Sequence, residues 1–211
     1  MKNNYFWAKN KGIISILSII FTILVLLLSI TPKASAAVDQ WASITPSAPN
    51  GTVFNTIAII DTYVYVGTNN GVYRSDDFGV NWANSLTASC GGSACNVTSV
   101  AIGWTYDGSA YVVDNNSPIF AGTSNGGIFK STIGDTAWSQ INTGLTDTNI
   151  SDIEIDQFLA TQGITTNIYA ATPSGVFRSD DEGLNWSLKD SGMGGEQVIK
   201  LSSDFGGALI Y

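Results

Sequence analysis

Histidine is absent from all 211 residues, which removes more chemistry than any other single feature. Without imidazole the chain holds no Ser-His-Asp triad, no Cys-His pair and no His-ligated zinc centre. No metal site and no cofactor are expected, and no residue is assigned a catalytic role. Cys90 and Cys95 enclose Gly-Gly-Ser-Ala. Two thiolates alone do not make a zinc site, and in an exported chain such a pair closes a short disulfide loop. The remaining candidates are carboxylates. Asp61, Asp107, Asp114, Asp152, Glu154, Asp156 and Asp204 fall near expected inner strands or their loops, and two carboxylates at a suitable separation suffice for glycoside hydrolysis. None sits in a signature, and an acid at a strand end more often caps a turn or faces solvent.

The elements that must position these groups come from an internal repeat. Tyr63-Val-Tyr-Val-Gly-Thr leads to a segment ending Arg-Ser-Asp-Asp-Phe-Gly-Val-Asn-Trp82; Ile119-Phe-Ala-Gly-Thr leads to one ending at Trp138; and Ile168-Tyr-Ala-Ala-Thr leads to Arg-Ser-Asp-Asp-Glu-Gly-Leu-Asn-Trp186. The tryptophans recur 56 and 48 residues apart, a period that suits one four-stranded propeller blade. In the first repeat, strands are expected over Phe54–Ile60, Tyr63–Thr68, Gly71–Ser75 and Asn81–Leu86. Asn69-Asn70-Gly71, Asn125-Gly126 and Pro173-Ser174-Gly175 supply the hairpin turns, because Asn and Gly tolerate positive φ. The expected fold is all-β, built of four-stranded antiparallel blades over about 52–90, 96–146 and 149–192, with a further blade starting at 196–211. Trp41-Ala-Ser-Ile-Thr reads as an outer strand without a blade of its own, so the chain reads as a piece of an incomplete propeller.

Ser75-x-Asp77-x-Gly79-x-x-Trp82 and Ser179-x-Asp181-x-Gly183-x-x-Trp186 both fit S-x-D-x-G-x-x-W. The middle repeat keeps Ser131, Gly134 and Trp138 but carries Asp135 out of register. The chain resembles the Asp-box, or BNR-repeat, β-propellers, a group that includes sialidases, xyloglucanase-like glycosidases, sortilin-like receptors and photosystem II assembly factors. The resemblance implies that the motif lies in the turn between the third and fourth strands, at the periphery and away from the face where such propellers usually bind ligands. Physically, Asp77 and Asp181 can accept hydrogen bonds from N–H groups of their own turn, while the tryptophan rings lock the turn against the blade. The alternative role for Asp77 and Asp181 is that of a catalytic carboxylate or calcium ligand.

A sialidase-like activity needs an arginine cluster. Only Arg74 and Arg178 occur, in equivalent positions of different repeats, so they do not converge on one substrate carboxylate. A glycosidase-like reading survives if further blades supply residues. The other reading is a non-catalytic module that binds protein or glycan, or acts as a scaffold. Loop length gives a further hint: 9 residues separate Ala58 from Gly67, whereas 21 separate Ala101 from Gly122. The extra segment carries Trp104, Tyr106, Asp107 and Asp114, which either face a ligand or decorate a hairpin. The Cys90–Cys95 loop is expected on the face opposite the Asp-box turns.

Lys2, Lys9 and Lys11 precede an apolar run from Ile13 to Ile30, and Ala34-Ser-Ala36 gives the small-x-small cleavage pattern. Residues 1–36 are therefore expected to be a signal peptide and 37–211 the partial propeller, secreted or extracytoplasmic; the alternative is a membrane anchor through 13–30. Cleavage leaves Arg74, Lys130, Arg178, Lys189 and Lys200 against 17 acidic residues. So acidic a chain repels phosphate, which excludes nucleic acid and, after cleavage, a membrane surface as partners. An unidentified protein or glycan remains as the expected partner.

Overall fold

The computed structural model describes residues 50–211 apart from 88, 91, 161–162, 190–195, 204–208 and 211. The described residues all fall within one compact unit. The expected signal peptide, Trp41 to Thr45 and Asp204 lie outside the described residues. Among the described residues no helix is long and apolar enough to cross a membrane.

Apolar residues alternate with polar ones over short runs bounded by Asn, Asp and Gly, a pattern that makes strands and turns. The first four-stranded sheet comprises β1 (Phe54–Ile60), β2 (Tyr63–Thr68), β3 (Gly71–Ser75) and β4 (Ala83–Leu86). A small hairpin follows, β5 (Ser89–Cys90) and β6 (Ser93–Ala94), closed by the Cys90–Cys95 disulfide. The second sheet begins with β7 (Val97–Ile102). A short hairpin, β8 (Thr105–Tyr106) and β9 (Tyr111–Val112), is inserted before β10 (Pro118–Thr123), β11 (Gly127–Thr132) and β12 (Ser139–Gln140) complete that sheet. The third contains β13 (Asp152–Ala160), β14 (Gly163–Thr172), β15 (Gly175–Ser179) and β16 (Ser187–Leu188), and β17 (Ser202–Ser203) pairs with β18 (Leu209–Ile210) beyond it. Neighbouring strands are antiparallel throughout, in simple sequence order.

The first three strands of the first repeat match the expected bounds. The fourth begins at Ala83 rather than Asn81, because the Asn81 N–H bonds to Asp77 Oδ1 and the Trp82 indole N–H to the Gly79 carbonyl, both outside the ladder. In the further blade expected over 196–211 the first strand starts at Ser202, although Val198 and Leu201 are already buried against Ala171 and Val176 of the third sheet.

Packing between sheets follows the two-residue period of a strand. On β10, Ile119 and Ala121 face the first sheet and join Tyr65, Val72 and Leu86, whereas Phe120 faces the third and joins Ile153, Ile168 and Phe177. Tyr65 extends this contact by donating its hydroxyl to the Ile133 carbonyl at 2.9 Å, and burial pushes its pKa up to about 12. Each sheet thus covers the inner strand of the next. Ile57, Val100 and Ile153 occupy one register position, opposite Val66, Ala121 and Ala170. Val100 is 9% and Ile153 4% exposed, but Ile57, with no preceding sheet among the described residues, is 54% exposed.

Glycine permits the closest approach of adjacent sheets. A Cβ on Gly67 would lie 2.6 Å from Val97 Cγ1, at the start of the following sheet, and one on Gly122 2.6 Å from Ile150 Cγ2, just before β13 of the sheet after it. The third sheet carries Ala171 at the equivalent place.

Candidate functional site

The two complete S-x-D-x-G-x-x-W segments form the turns between β3 and β4 and between β15 and β16. Phe78 and Gly79, like Glu182 and Gly183, have positive φ, which explains the glycine. Ser75 Oγ donates to Asp77 Oδ1 at 2.8 Å and accepts from the Gly79 N–H at 2.8 Å. Asp77 also accepts from the Val80 and Asn81 N–H groups and from Asn81 Nδ2. Ser179, Asp181, Gly183 and Asn185 repeat these bonds almost bond for bond. Donors of the turn hold both carboxyls below the usual range: for Asp77 chiefly the Asn81 backbone N–H, for Asp181 the Asn185 side-chain amide. Each carboxylate is spent on its own turn. The four-stranded antiparallel sheets that carry these turns fit β-propeller blades.

The middle repeat closes differently. Asp135 accepts from the Thr136 and Ala137 N–H groups, and Ser131 Oγ donates to the Ala137 carbonyl at 2.8 Å. Ala137 stands where Asn81 and Asn185 stand in the other two. Those asparagines belong to the motif as it works here, and their recurrence just before Trp82 and Trp186 was the available signal. The tryptophans differ in reach. Trp186 is buried against the second blade, and its indole N–H donates to the Ile141 carbonyl at 2.7 Å. Trp138 donates to Ser85 Oγ in the first blade, while Trp82 bonds within its own turn.

Among the described residues, the candidate carboxylates form no group of three that could hold a metal ion. Asp61 occupies the β1–β2 turn with φ 51°. Asp107 accepts from the Ala110 and Ser109 N–H groups and from the Ser109 hydroxyl, which lower its pKa. Asp114 is lowered mainly by the Asn116 N–H and also accepts from the Thr105 and Ser117 hydroxyls. Asp152 is buried and joins three inner segments: Ser99 Oγ donates to it at 2.9 Å, Lys200 Nζ at 3.2 Å and the Leu201 N–H at 3.0 Å. Asp156 is buried and accepts from Asn167, which in turn accepts from Arg178. Glu154 lies between these two on β13. Arg74 and Arg178 remain in separate blades, each paired with the acid two residues on, Asp76 and Asp180.

The inserted hairpin separates its members by role. Asp107 and Asp114 cap its turns, whereas Trp104 and Tyr106 remain 47% and 38% exposed and line a groove of about 490 Å³ between the second and third blades. Phe120, Lys130, Gln157, Thr166 and Glu182 line it too. None of these five was singled out in the sequence; Gln157 and Thr166 belong to the groove because the third blade's inner hairpin is unusually long. β13 and β14 run 9 and 10 residues, against 7 and 6 for β1 and β2. That extension carries Gln157 to the insertion, where its Oε1 accepts from the Trp104 N–H at 2.6 Å and its Nε2 donates to the Trp104 carbonyl and Thr166 Oγ1. Lys130 bridges the blades through Glu182 Oε2 at 3.0 Å and lies over the Phe120 ring.

This groove opens on the Asp-box side. The insertion leads from β7 to β10, and its Asn115 and Ser117 carbonyls accept from Gly134 and Ile133 beside the middle box. The resemblance placed ligand binding on the other face. There, as expected, lies the Cys90–Cys95 loop: the Cys90 carbonyl accepts from Asn125 Nδ2 and the Cys95 carbonyl from the Gly71 N–H, both at turns joining second and third strands.

No protein-family model matches the chain, nor does any curated protein. Among solved structures it is similar to an ancestral GH74 enzyme, with a TM-score of 0.45 and 20% identity over 65% of this chain and 19% of that one. It is also similar to the GH74 xyloglucanase from Xanthomonas campestris, with a TM-score of 0.37 and 17% identity over 64% of this chain and 20% of that one. The chain thus spans about a fifth of the length of these two structures.

Proposed function

We propose that this protein is an exported Asp-box propeller that acts by binding a glycan or protein rather than by breaking bonds. The observation that carries this reading is how the acids are used. Asp77, Asp107, Asp114 and Asp181 are occupied by donors of their own turns, and Asp152 ties inner strands together. A general acid or nucleophile must instead meet substrate. By contrast Trp104 and Tyr106 are presented on a clamped loop, the type of rigid aromatic surface that dominates binding energetics. The Cys90–Cys95 disulfide fits the oxidising compartment to which the leader would direct the chain.

The test incubates the full chain with a panel of oligosaccharides, reading binding by calorimetry and cleavage by chromatography of the products. Saturable binding with the sugar recovered intact is expected. Turnover lost on replacing any of these carboxylates would overturn the reading. Amino-terminal sequencing of the exported chain checks the compartment: a start at Ala37 is expected, and retention of Met1 in a membrane fraction contradicts release.

A further inference from the structure

Within that binding-module reading, we propose that the groove between the second and third blades is a site for a neutral oligosaccharide, stacked on Trp104 and Tyr106 and hydrogen-bonded to Lys130 and Glu182. Its volume of about 490 Å³ is of the size that holds a small ligand. Trp104, just before β8, and Tyr106 within it both line the groove. The face of an aromatic ring carries negative charge density and attracts the C–H edges that a pyranose displays on its flat side.

Polarity narrows the choice further. A wholly apolar ligand would bury the Lys130–Glu182 pair without replacing its water. An anionic ligand meets a lysine already neutralised by Glu182, in a chain of net charge −8. A cation would have to displace Lys130 itself. Sugar hydroxyls suit this pair because each can donate to the carboxylate and accept from the ammonium, and Thr132 and Thr166 add hydroxyls to the same walls. The groove is also preorganised. Gln157 grips both the N–H and the carbonyl of Trp104, so a ligand does not have to order the loop.

The experiment titrates cellohexaose, mannohexaose and chitohexaose into the full chain and into Trp104→Ala and Tyr106→Ala variants, with hexagalacturonate as the anionic probe. Tryptophan fluorescence and calorimetry report binding, and circular dichroism reports folding. At least one neutral hexasaccharide should bind the wild type, with affinity little changed between about 50 and about 500 mM salt, as a neutral ligand requires. Each variant should weaken it about tenfold or more; should Trp104→Ala not fold, Tyr106→Ala decides. Failure of all three neutral sugars, or preference for hexagalacturonate, overturns the proposal. So does a protein partner that binds through Trp104 and Tyr106 in place of a sugar. A sugar that binds both variants as well as the wild type removes the groove but keeps the binding-module reading, whereas cleavage that survives in both variants removes both.

Discussion

Replacing Trp186 by alanine should cost far more than the same change at Trp82, although both occupy the last position of an identical motif. Trp186 is only 5% exposed and sits among Phe120, Leu145, Ile150 and Phe177. A buried indole covers roughly 200 Å², which at about 25 cal/mol per Å² corresponds to about 5 kcal/mol. Because the unfolded chain already hides part of that surface, about 4 kcal/mol is the better expectation. The variant also strips the donor from the Ile141 carbonyl. Trp82 is partly buried, lies outside the clusters between blades and returns its N–H to Gly79 in the same turn; its removal should cost about half as much. Urea unfolding followed by far-UV circular dichroism, with midpoint and slope fitted together, measures both. Trp186→Phe separates packing from hydrogen bonding and should recover all but about 1–2 kcal/mol, the value of the lost donor. Equal losses at the two sites, or under about 2 kcal/mol for Trp186→Ala, would refute the claim that this ring holds adjacent blades together.

Asp77→Ala should lower stability by about 1–2 kcal/mol at neutral pH, since the Asn81 N–H and side-chain amide lose their carboxylate acceptor. The folded pKa of Asp77 is lowered, so its contribution is present above the unfolded value of about 4 and fades as pH falls through the folded value; Asp77→Asn should flatten that acid limb in pH-dependent melts. Tyr65 works in the opposite direction: raised to about 12, it gives stability present below pH ~10 and lost as pH climbs through the folded value. Tyr65→Phe should reduce the alkaline loss, and an unchanged alkaline limb would count against burial as the cause. Gly122→Ala places a methyl group against the stiff Ile150 side chain and should cost about 1–3 kcal/mol by overpacking, seen as a lower urea midpoint.

Much of the fold was written in local chemistry. Turn residues such as Asn69-Asn70-Gly71 and the alternation along Phe54–Ile60 fix strands whatever the rest of the chain does, and the Asp-box is a self-contained set of bonds from Ser75 to Trp82. The Cys90–Cys95 bridge was legible for the same reason, since both partners belong to one short loop. The start of β4 was misplaced because hydrogen bonds of the box compete with the ladder for Asn81, and a strand pattern does not record that competition. Trp104 and Tyr106 could be singled out as additions to the repeat. Gln157 could not, because its partner lies 53 residues away and only the register of two blades brings them together.

The groove arises where two departures from the repeat meet. A propeller blade repeats because every inner strand must bury the same face against its predecessor, and this demand makes Ile57, Val100 and Ile153 equivalent. The turns at the blade ends carry no such constraint. The second blade uses that freedom to insert β8 and β9, and the third uses it to lengthen β13 and β14. Either change alone would leave an isolated hairpin, and a two-stranded hairpin is marginal in water. Together they support each other: Gln157 anchors Trp104, and Lys130 reaches Glu182 across the same gap. Removing the anchor by Gln157→Ala should therefore free the β8–β9 hairpin while leaving the blades intact. Hydrogen exchange should read this as faster exchange at Trp104, with no change at Ile119 to Ala121 in the sheet below. Equal acceleration at both would mean that the insertion is part of the core rather than a clamped extension of it.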